Sequence, residues 1–355
     1  MSVPPPGAAP TAPPAPPEGW PGVSVVIPVL DEERDLADAV TRVLDQEYPG
    51  ELEVILALGP SSDRTDEIAT ELVARDRRVR TVPNPSGRTP AGLNAAIATA
   101  RHSIVARVDG HGMLAPGYLV TAVRLLEQTG ADNVGGIMAA EGVTSFERAV
   151  ATAMTSSLGV GGARFHIGGE AGPADTVYLG VFRRDTLARL GGYDETFERA
   201  QDWELNLRIR RSGGLVWFSP ELHVSYRPRP HLRGLARQYF EYGRWRREVM
   251  REHPETVTVR YLAPPSALAA VLAGAVLVLL GRPRRAPLVG LAAPGGYVAG
   301  VLLGSGWIGR RLEPPARGWL PVVLVTMHLS WAVGFWTSPR GLRAGAEADP
   351  GGGQP

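Results

Sequence analysis

Past Leu262 the chain carries three stretches with no charged residue: Ala263–Leu280, Ala286–Gly309 and Gly318–Ser338, of 18, 24 and 21 residues. At 1.5 Å per helical residue the shortest reaches roughly 27 Å, about the hydrocarbon thickness of a bilayer. Three such runs within 76 residues present more apolar surface than a small soluble bundle can cover, so the pattern predicts membrane helices. Trp307, Trp319, Trp331 and Trp336 lie in or near the last two runs, mostly toward their ends, where amphipathic rings anchor at a membrane surface. The segment ahead of the first run carries Arg244, Arg246, Arg247, Arg251 and Arg260, which places that side in the cytoplasm. Arg282, Arg284 and Arg285 in the first short loop pull the other way. A first run that lies in the interface or re-enters, interrupted at Pro264 and Pro265, would reconcile the two.

Before Leu262 the pattern changes. Apolar runs of strand length alternate with helical patterns: strands over Val23–Val29, Leu52–Leu58, Val79–Val82, Ile104–Val108 and around Asn133–Met138, and helices over Leu36–Gln46, Thr65–Arg75, Pro90–Ala100 and Pro116–Thr129. Near-continuous apolar strands alternating with helices predict an α/β fold with a parallel sheet covered on both faces, whose ligands gather at the strands' carboxyl ends. Residues 1–21 hold nine prolines and read as a disordered tail, as do residues 339–355. Residues 22–262 are then the α/β domain and 263–338 the membrane region. With no cysteine and no lysine among 37 basic residues, disulfides, thiolate and Schiff-base chemistry and the P-loop lysine are excluded. A net charge of +1 gives no reason to expect nucleic acid as a partner.

Four segments carry candidate chemistry. In Arg107-Val108-Asp109-Gly110-His111 an apolar strand ends in a carboxylate with an imidazole two residues on. Such a pair can face one ion: oxygen suits Mg²⁺ or Mn²⁺, and the imidazole tilts the choice toward Mn²⁺. The plainer reading is a turn with a capping aspartate. Asp202, in Gln201-Asp202-Trp203-Glu204, opens a helix running to Arg211; it is either an N-cap or a general base. Asp31, Glu32 and Glu33 follow the first strand, facing the ligand crevice or merely complementing a helix dipole. Gly87-Arg88-Thr89-Pro90-Ala91-Gly92-Leu93-Asn94 feeds a helix N-terminus and suits a diphosphate. No GxGxxG follows the first strand, which disfavours a dinucleotide site. His166 and His223 can reach a metal or acceptor or be satisfied structural histidines, and His328 can be a polar contact between helices or face headgroups. The arginines from Arg244 to Arg251 read as positive-inside anchoring rather than a lipid site.

Together VSVVIPVLDEE (23–33), GRTPAGLNAAI (87–97), RVDGH (107–111), DTVYLGVFRR (175–184), GGYDETF (191–197) and QDWELNLRIRRSGG (201–214) resemble family 2 glycosyltransferases, within them the succinoglycan-type exopolysaccharide glucosyltransferases. The resemblance covers roughly Val23–Leu262 and implies a GT-A fold, a Rossmann-like mixed sheet, followed here by C-terminal transmembrane helices. It implies that Asp109 and His111 hold Mn²⁺ or Mg²⁺ against a nucleotide sugar, and that Asp202 is the base for an inverting transfer. It places Pro28, Glu32, Asp63, Arg88, Asn94 and Arg107 around the donor and Gln201, Gly180, Arg244 and Trp245 on the acceptor or product side. Gln238, Arg244 and Trp245 do not keep the spacing of the family's Q-x-x-R-W element, which favours single-sugar transfer. Leu58 and Gly59 stand where the family has acids, leaving base choice open.

The expectation is therefore a metal-dependent enzyme of cell-surface polysaccharide synthesis, multi-pass in the inner or plasma membrane with its catalytic domain in the cytoplasm, using a nucleotide-diphospho-sugar and a lipid-linked or glycan acceptor. The alternatives are a non-catalytic membrane scaffold of the same fold and a sugar nucleotidyltransferase. The second needs a Gly-rich basic loop after the first strand, where Leu30-Asp31-Glu32-Glu33 stands.

Overall fold

The structure, a computed structural model, describes residues 19–280 and 286–342. The proposed tails fall almost wholly outside these residues, and so does the arginine loop at 282–285. The strands are β1 (Val23–Val29), β2 (Leu52–Leu58), β3 (Val79–Pro83), β4 (Ile104–Arg107), β5 (Met113–Leu114), β6 (Asn133–Ala140), β7 (Gly172–Pro173), β8 (Tyr178–Arg183) and β9 (Val216–Tyr226). The helices are α1 (Leu36–Leu44), α2 (Thr65–Arg75), α3 (Thr89–Thr99), α4 (Tyr118–Thr129), α5 (Ser145–Met154), α6 (Ser157–Val160), α7 (Arg164–Ile167), α8 (Arg184–Leu190), α9 (Gln201–Arg211), α10 (Leu232–Glu252), α11 (Val259–Leu280), α12 (Ala286–Ile308) and α13 (Pro314–Thr337).

The sheet runs β3-β2-β1-β4-β8-β6-β9-β5, with β7 also paired to β9. Its first four strands are parallel, as the alternation predicts. The other half is mixed: β8 runs antiparallel to both β4 and β6, so the parallel reading drawn from the alternation holds for one half only, and the mixed sheet that the resemblance implies is the one found. Strand side chains alternate between faces. Val25 and Ile27 enter a core with Leu36, Val40 and Leu119, while Val26 enters another with Ile55, Leu93 and Ile209. Both faces of β1 are therefore dry, each fully buried aliphatic contributing about 1.5–3 kcal/mol.

Pro28 decides where the crevice opens. In a parallel ladder alternate residues bond to alternate neighbours. The Val26 carbonyl accepts from Val108 on the β4 side and the Val29 carbonyl from Gly59 on the β2 side. Pro28 therefore faces β4 with no N–H to give, and the β1–β4 pairing ends two residues earlier at Val26–Arg107. Beyond that point β4 turns away toward Asp109.

Helices α11, α12 and α13 are each long and apolar enough to cross a membrane. Leu279, Leu302, Leu303 and Trp307 stand exposed on the first two, as lipid-facing side chains would. Pro264 and Pro265 lie in the second turn of α11, so ladder bonds are lost only near its start and the helix runs on unbroken. It packs on α12 through glycine: a Cβ built on Gly274 would lie 2.4 Å from the Gly290 carbonyl oxygen, the close backbone approach that small residues give membrane helices.

Helix α13 docks on the α/β part. Its Leu320, Val323, Leu324 and Met327 share a core with Phe146, Val150 and Met154. Against α10 it is tighter still: a Cβ on Gly243 would meet the Trp331 carbonyl oxygen at 2.1 Å, and one on Gly334 the Phe240 carbonyl oxygen at 2.0 Å. The opposing atoms are backbone and cannot swing aside. Gly243→Ala is expected to cost about 1–3 kcal/mol by overpacking, outweighing the roughly 1 kcal/mol that alanine gains in helix propensity. Its melting temperature in detergent should fall; an unchanged value would show that the helices do not meet there.

Candidate active site

The loops after β1 and β2 are tied together by their own polar side chains. Asp31 takes a left-handed backbone at φ 54°, and its carboxylate accepts from Ser62 N at 2.7 Å. Glu32 N donates to Thr65 Oγ1 at 2.8 Å and Glu33 N to Asp63 Oδ2 at 3.1 Å. Asp63 also accepts from Thr65 N at 3.0 Å, so it caps α2 and Thr65 is the first helical residue. The structure thus makes Asp63 a brace of the crevice wall. Gly59 packs between these loops, since a Cβ there would lie 3.1 Å from Gly87 Cα and from the Val29 carbonyl oxygen. No acidic side chain fits at 59 without moving them.

At the end of β4 one buried cation holds two carboxylates. Arg107, only 5 % exposed in its side chain, donates from Nε at 3.1 Å and from Nη2 at 2.9 Å to Asp109 Oδ1. Its Nη1 bonds Asp202 Oδ1. This places the two sequence candidates, 93 residues apart, on one guanidinium. Asp202 enters from the first turn of α9, behind Ala200 in a left-handed conformation at φ 63°. A non-glycine residue there is a local strain of the kind that gathers at functional sites.

The two carboxylates are driven apart in acidity. Burial pushes the Asp202 carboxyl above its ordinary range, against the opposing pull of Arg107 and with a further push from Asp109. Burial works the same way on Asp109, but Arg107 outweighs it, helped by His111 and Arg199, and holds that carboxyl below its ordinary range. Paired carboxyls with separated pKa values mark a division of roles.

His111 joins from the other side. Its Nδ1 lies 2.7 Å from Glu32 Oε1. Burial alone would lower the His111 pKa, yet the Glu32 hydrogen bond and charge, with Asp109, raise it. A carboxylate on one imidazole nitrogen is the usual support for a histidine whose other nitrogen binds a metal. Gly110 permits it, because a Cβ there would sit 2.8 Å from Glu32 Cγ. Among the described residues no group of three His, Asp or Glu side chains is set to hold an ion unaided. Asp109 and His111 offer an oxygen and a nitrogen ligand, a donor pair that fits a divalent ion.

Other sequence candidates fall elsewhere. Asn94 exchanges two bonds with Tyr193: its Nδ2 donates to the Tyr193 carbonyl at 2.9 Å, and its Oδ1 accepts from Tyr193 N at 2.8 Å. Arg88 Nη1 donates to the Glu195 carbonyl at 3.2 Å. Both residues thus hold the loop that follows α8, and that loop lays Tyr193 beside Arg107. Gly180 is buried in β8 against Asn133 and Phe182. Trp245 is buried against Phe197, and Arg244 pairs with Glu241 at 2.9 Å. None of the three is on the wall of the cavity that Asp202 lines. Gln238 donates to the Tyr226 and Tyr242 hydroxyls.

A cavity of about 830 Å³ opens from this cluster. Arg107, Asp109, Gln201 and Asp202 line one end, and residues of α11, α12 and α13 line the other. Pro28, Glu32, Asp63, Arg88, Asn94 and His111 are not among its walls. His166 is on the cavity wall; burial, with the charge of Arg260, depresses its pKa to about 3. His223 is exposed on β9. His328 Nε2 donates to the Leu158 carbonyl at 2.9 Å and its Nδ1 meets the Tyr297 hydroxyl, a polar contact between helices. Tyr178 and Arg199 on the cavity wall are residues that motif reading did not assign, and Arg246 and Arg260, read there as membrane anchors, line it too.

These features define a nucleotide-sugar transferase fold, and the comparisons agree. Glycosyl transferase family 2 matches residues 24–191. The chain is 31% identical over 315 residues to the succinoglycan biosynthesis protein ExoA of Rhizobium meliloti, covering 88% of this chain and 93% of that one. It is 22% identical over 232 residues to a dolichyl N-acetyl-alpha-D-glucosaminyl phosphate glucuronosyltransferase of Methanococcus voltae, covering 62% and 71%. A mannosyltransferase from Pyrobaculum calidifontis, solved with GDP-Man and Mn²⁺, superposes with a TM-score of 0.55 at 19% identity, covering 90% of this chain and 88% of that chain. The chain belongs to glycosyl transferase family 2. It is a glycosyltransferase with a GT-A fold, which displaces the scaffold and nucleotidyltransferase alternatives.

Proposed function

We propose that this enzyme transfers one sugar, with inversion, from a nucleotide-diphosphate donor to a lipid-linked or glycan acceptor at the cytoplasmic face of the membrane, in the synthesis of a cell-surface polysaccharide. The observation that carries the reading is Arg107 holding Asp109 and Asp202 together where the donor loops meet a cavity that runs on to the apolar helices. The likeness to a succinoglycan biosynthesis protein supports the polysaccharide context, and a neighbour solved with GDP-Man and Mn²⁺ supports the donor class and the metal.

Asp202 takes the proton from the acceptor hydroxyl. Its raised pKa makes it a stronger base than an exposed aspartate. Arg107 fixes the carboxylate's direction and keeps the charge of Asp109 from protonating it. Asp109 and His111 would hold Mn²⁺ or Mg²⁺, which when bound neutralises charge on the departing nucleoside diphosphate. Glu32 orients His111. The loop from Gly191 to Phe197, braced by Arg88 and Asn94, walls the site with Tyr193 and excludes water.

The test is a panel of UDP-, GDP- and TDP-sugars with membranes carrying the full chain and a crude lipid extract. Transfer to lipid-extractable product is expected with one donor, to fall at least ten-fold in EDTA, and to return with Mn²⁺ or Mg²⁺. Undiminished transfer in EDTA would refute the metal assignment, and product found only in the aqueous phase would refute the lipid-linked acceptor.

A further inference from the structure

Among the described residues the cavity contains a cation with no ion-pair partner. Arg246 projects from α10 into the wall, where its Nε and Nη1 are buried and make no hydrogen bond. Its guanidinium stacks 5.0 Å from the Trp203 ring centre and 4.1 Å from that of Tyr261. Arg260, at the start of α11, lies 4.5 Å from the same Tyr261 ring and lines the same cavity. Neither arginine forms an ion pair with a carboxylate among the described residues. Two guanidiniums gathered in a low-dielectric site repel each other, and burial with the nearby Arg260 pulls the Arg246 pKa down. A site built this way is stabilised by an anion.

The rest of the cavity says what kind of anion. Trp203 follows Asp202, the proposed base, in α9, Arg246 stacks on the Trp203 ring, and all three line the cavity. Beyond them the wall is apolar and partly made of small residues from the candidate spans: Ala267 and Leu268 on α11, Gly300 and Val301 on α12, Met327 on α13. Small residues leave a lane of open volume that continues from the charged end into helices that suit a bilayer. The neighbouring arginines have other work. Arg247 and Arg251 donate to the carbonyls of Phe335, Ser338 and Pro339, satisfying the end of α13, so Arg246 is the one turned inward.

We propose that Arg246 and Arg260 bind the phosphate or diphosphate of a lipid whose chain lies between α11, α12 and α13, so that a sugar carried on that phosphate presents its hydroxyl to Asp202. The acceptor role rests on the glycosyltransferase reading above; the lipid-phosphate site does not. The experiment is native mass spectrometry of the detergent-solubilised full chain incubated with farnesyl diphosphate, farnesol, inorganic pyrophosphate or UDP and GDP. Farnesyl diphosphate should be retained at least ten-fold more than farnesol or pyrophosphate. Arg246→Gln and Arg260→Gln should each lower that retention at least ten-fold, and Arg246→Lys should restore most of it. Equal retention of farnesol or of pyrophosphate, or displacement of bound farnesyl diphosphate by UDP or GDP, would overturn the site as drawn, and the wild-type arms alone decide this if a variant misfolds. Retention unchanged in both glutamine variants would also overturn it. Sugar transfer, assayed separately, keeps the two claims apart. Arginine-dependent retention without any transfer would defeat the catalytic reading only, and transfer without retention would defeat the lipid-phosphate site only.

Discussion

Asp202→Asn is expected to lower sugar transfer by about 10²–10⁴-fold, the usual contribution of a positioned general base. Donor affinity should stay within a few fold, because Asp202 sits on α9 and bonds Arg107 rather than the β1 and β2 loops. The amide keeps the side chain's shape and can still meet Arg107, so the melting temperature should move little. Retained turnover would remove Asp202 from the assigned role. The acid limb of the pH profile offers a second check on wild-type enzyme. A base works only when deprotonated, so activity is lost as pH falls through its pKa. Burial raises that pKa above the ordinary aspartate value of 3.8, so the limb should lie at higher pH than an exposed carboxylate gives. A limb at or below the ordinary value would argue that another group is titrating.

Arg107→Met is expected to damage both the fold and the chemistry. The wild-type guanidinium is almost fully buried and counters Asp109 and Asp202 at once. Methionine fills much of the volume but leaves two buried carboxylates facing each other. Breaking a buried ion pair from one side costs about 3–5 kcal/mol, a fall in melting temperature on the order of 10 °C for a domain of this size. The sign of the pH dependence follows. Asp109 has a lowered pKa in the wild type, so its contribution is present above the unfolded carboxyl pKa and lost as pH falls through the folded one. Without Arg107 that pKa rises, so the variant's deficit should be largest at neutral pH and shrink on acidification. Adding Asp202→Asn should recover part of the loss by removing one charge. A variant as stable as the wild type at pH 7 would show that Arg107 does not bridge the pair.

Much of this was legible in the sequence, and the parts that were not share a cause. The strands Val23–Val29 and Leu52–Leu58 and the helix Thr65–Arg75 match their observed limits, because continuous apolar runs and first-turn acids are local signals. Strand direction is not local. Nothing in Tyr178–Arg183 itself tells that β8 inserts antiparallel between β4 and β6; the alternation pointed only to parallel strands, and the mixed sheet was expected from the family resemblance. At the site, Asp109, His111 and Asp202 were found from residue type and spacing. The bond that unites the two aspartates spans 95 residues from Arg107 to Asp202, and no spacing rule reaches that far. Asn94 was read as a donor contact because the family resemblance places its segment there; its partners on Tyr193 and Glu195 are about a hundred residues away. Arg246 did leave a trace. Tyr239, Tyr242 and Arg246 recur at helical spacing of three and four and share the face of α10 that lines the cavity, but the surrounding arginines hid the pattern within a charge cluster.

The account turns on a single displacement: one carboxylate takes a proton on one side of the sugar while the nucleoside diphosphate leaves on the other. The stereochemistry of the product reads this directly. With an α-linked nucleotide sugar as donor, the proton–proton coupling at the new anomeric centre, measured by NMR on the first-formed product, should report a β-linkage. An α-linked product would require two displacements or front-face attack, and would contradict the role given to Asp202.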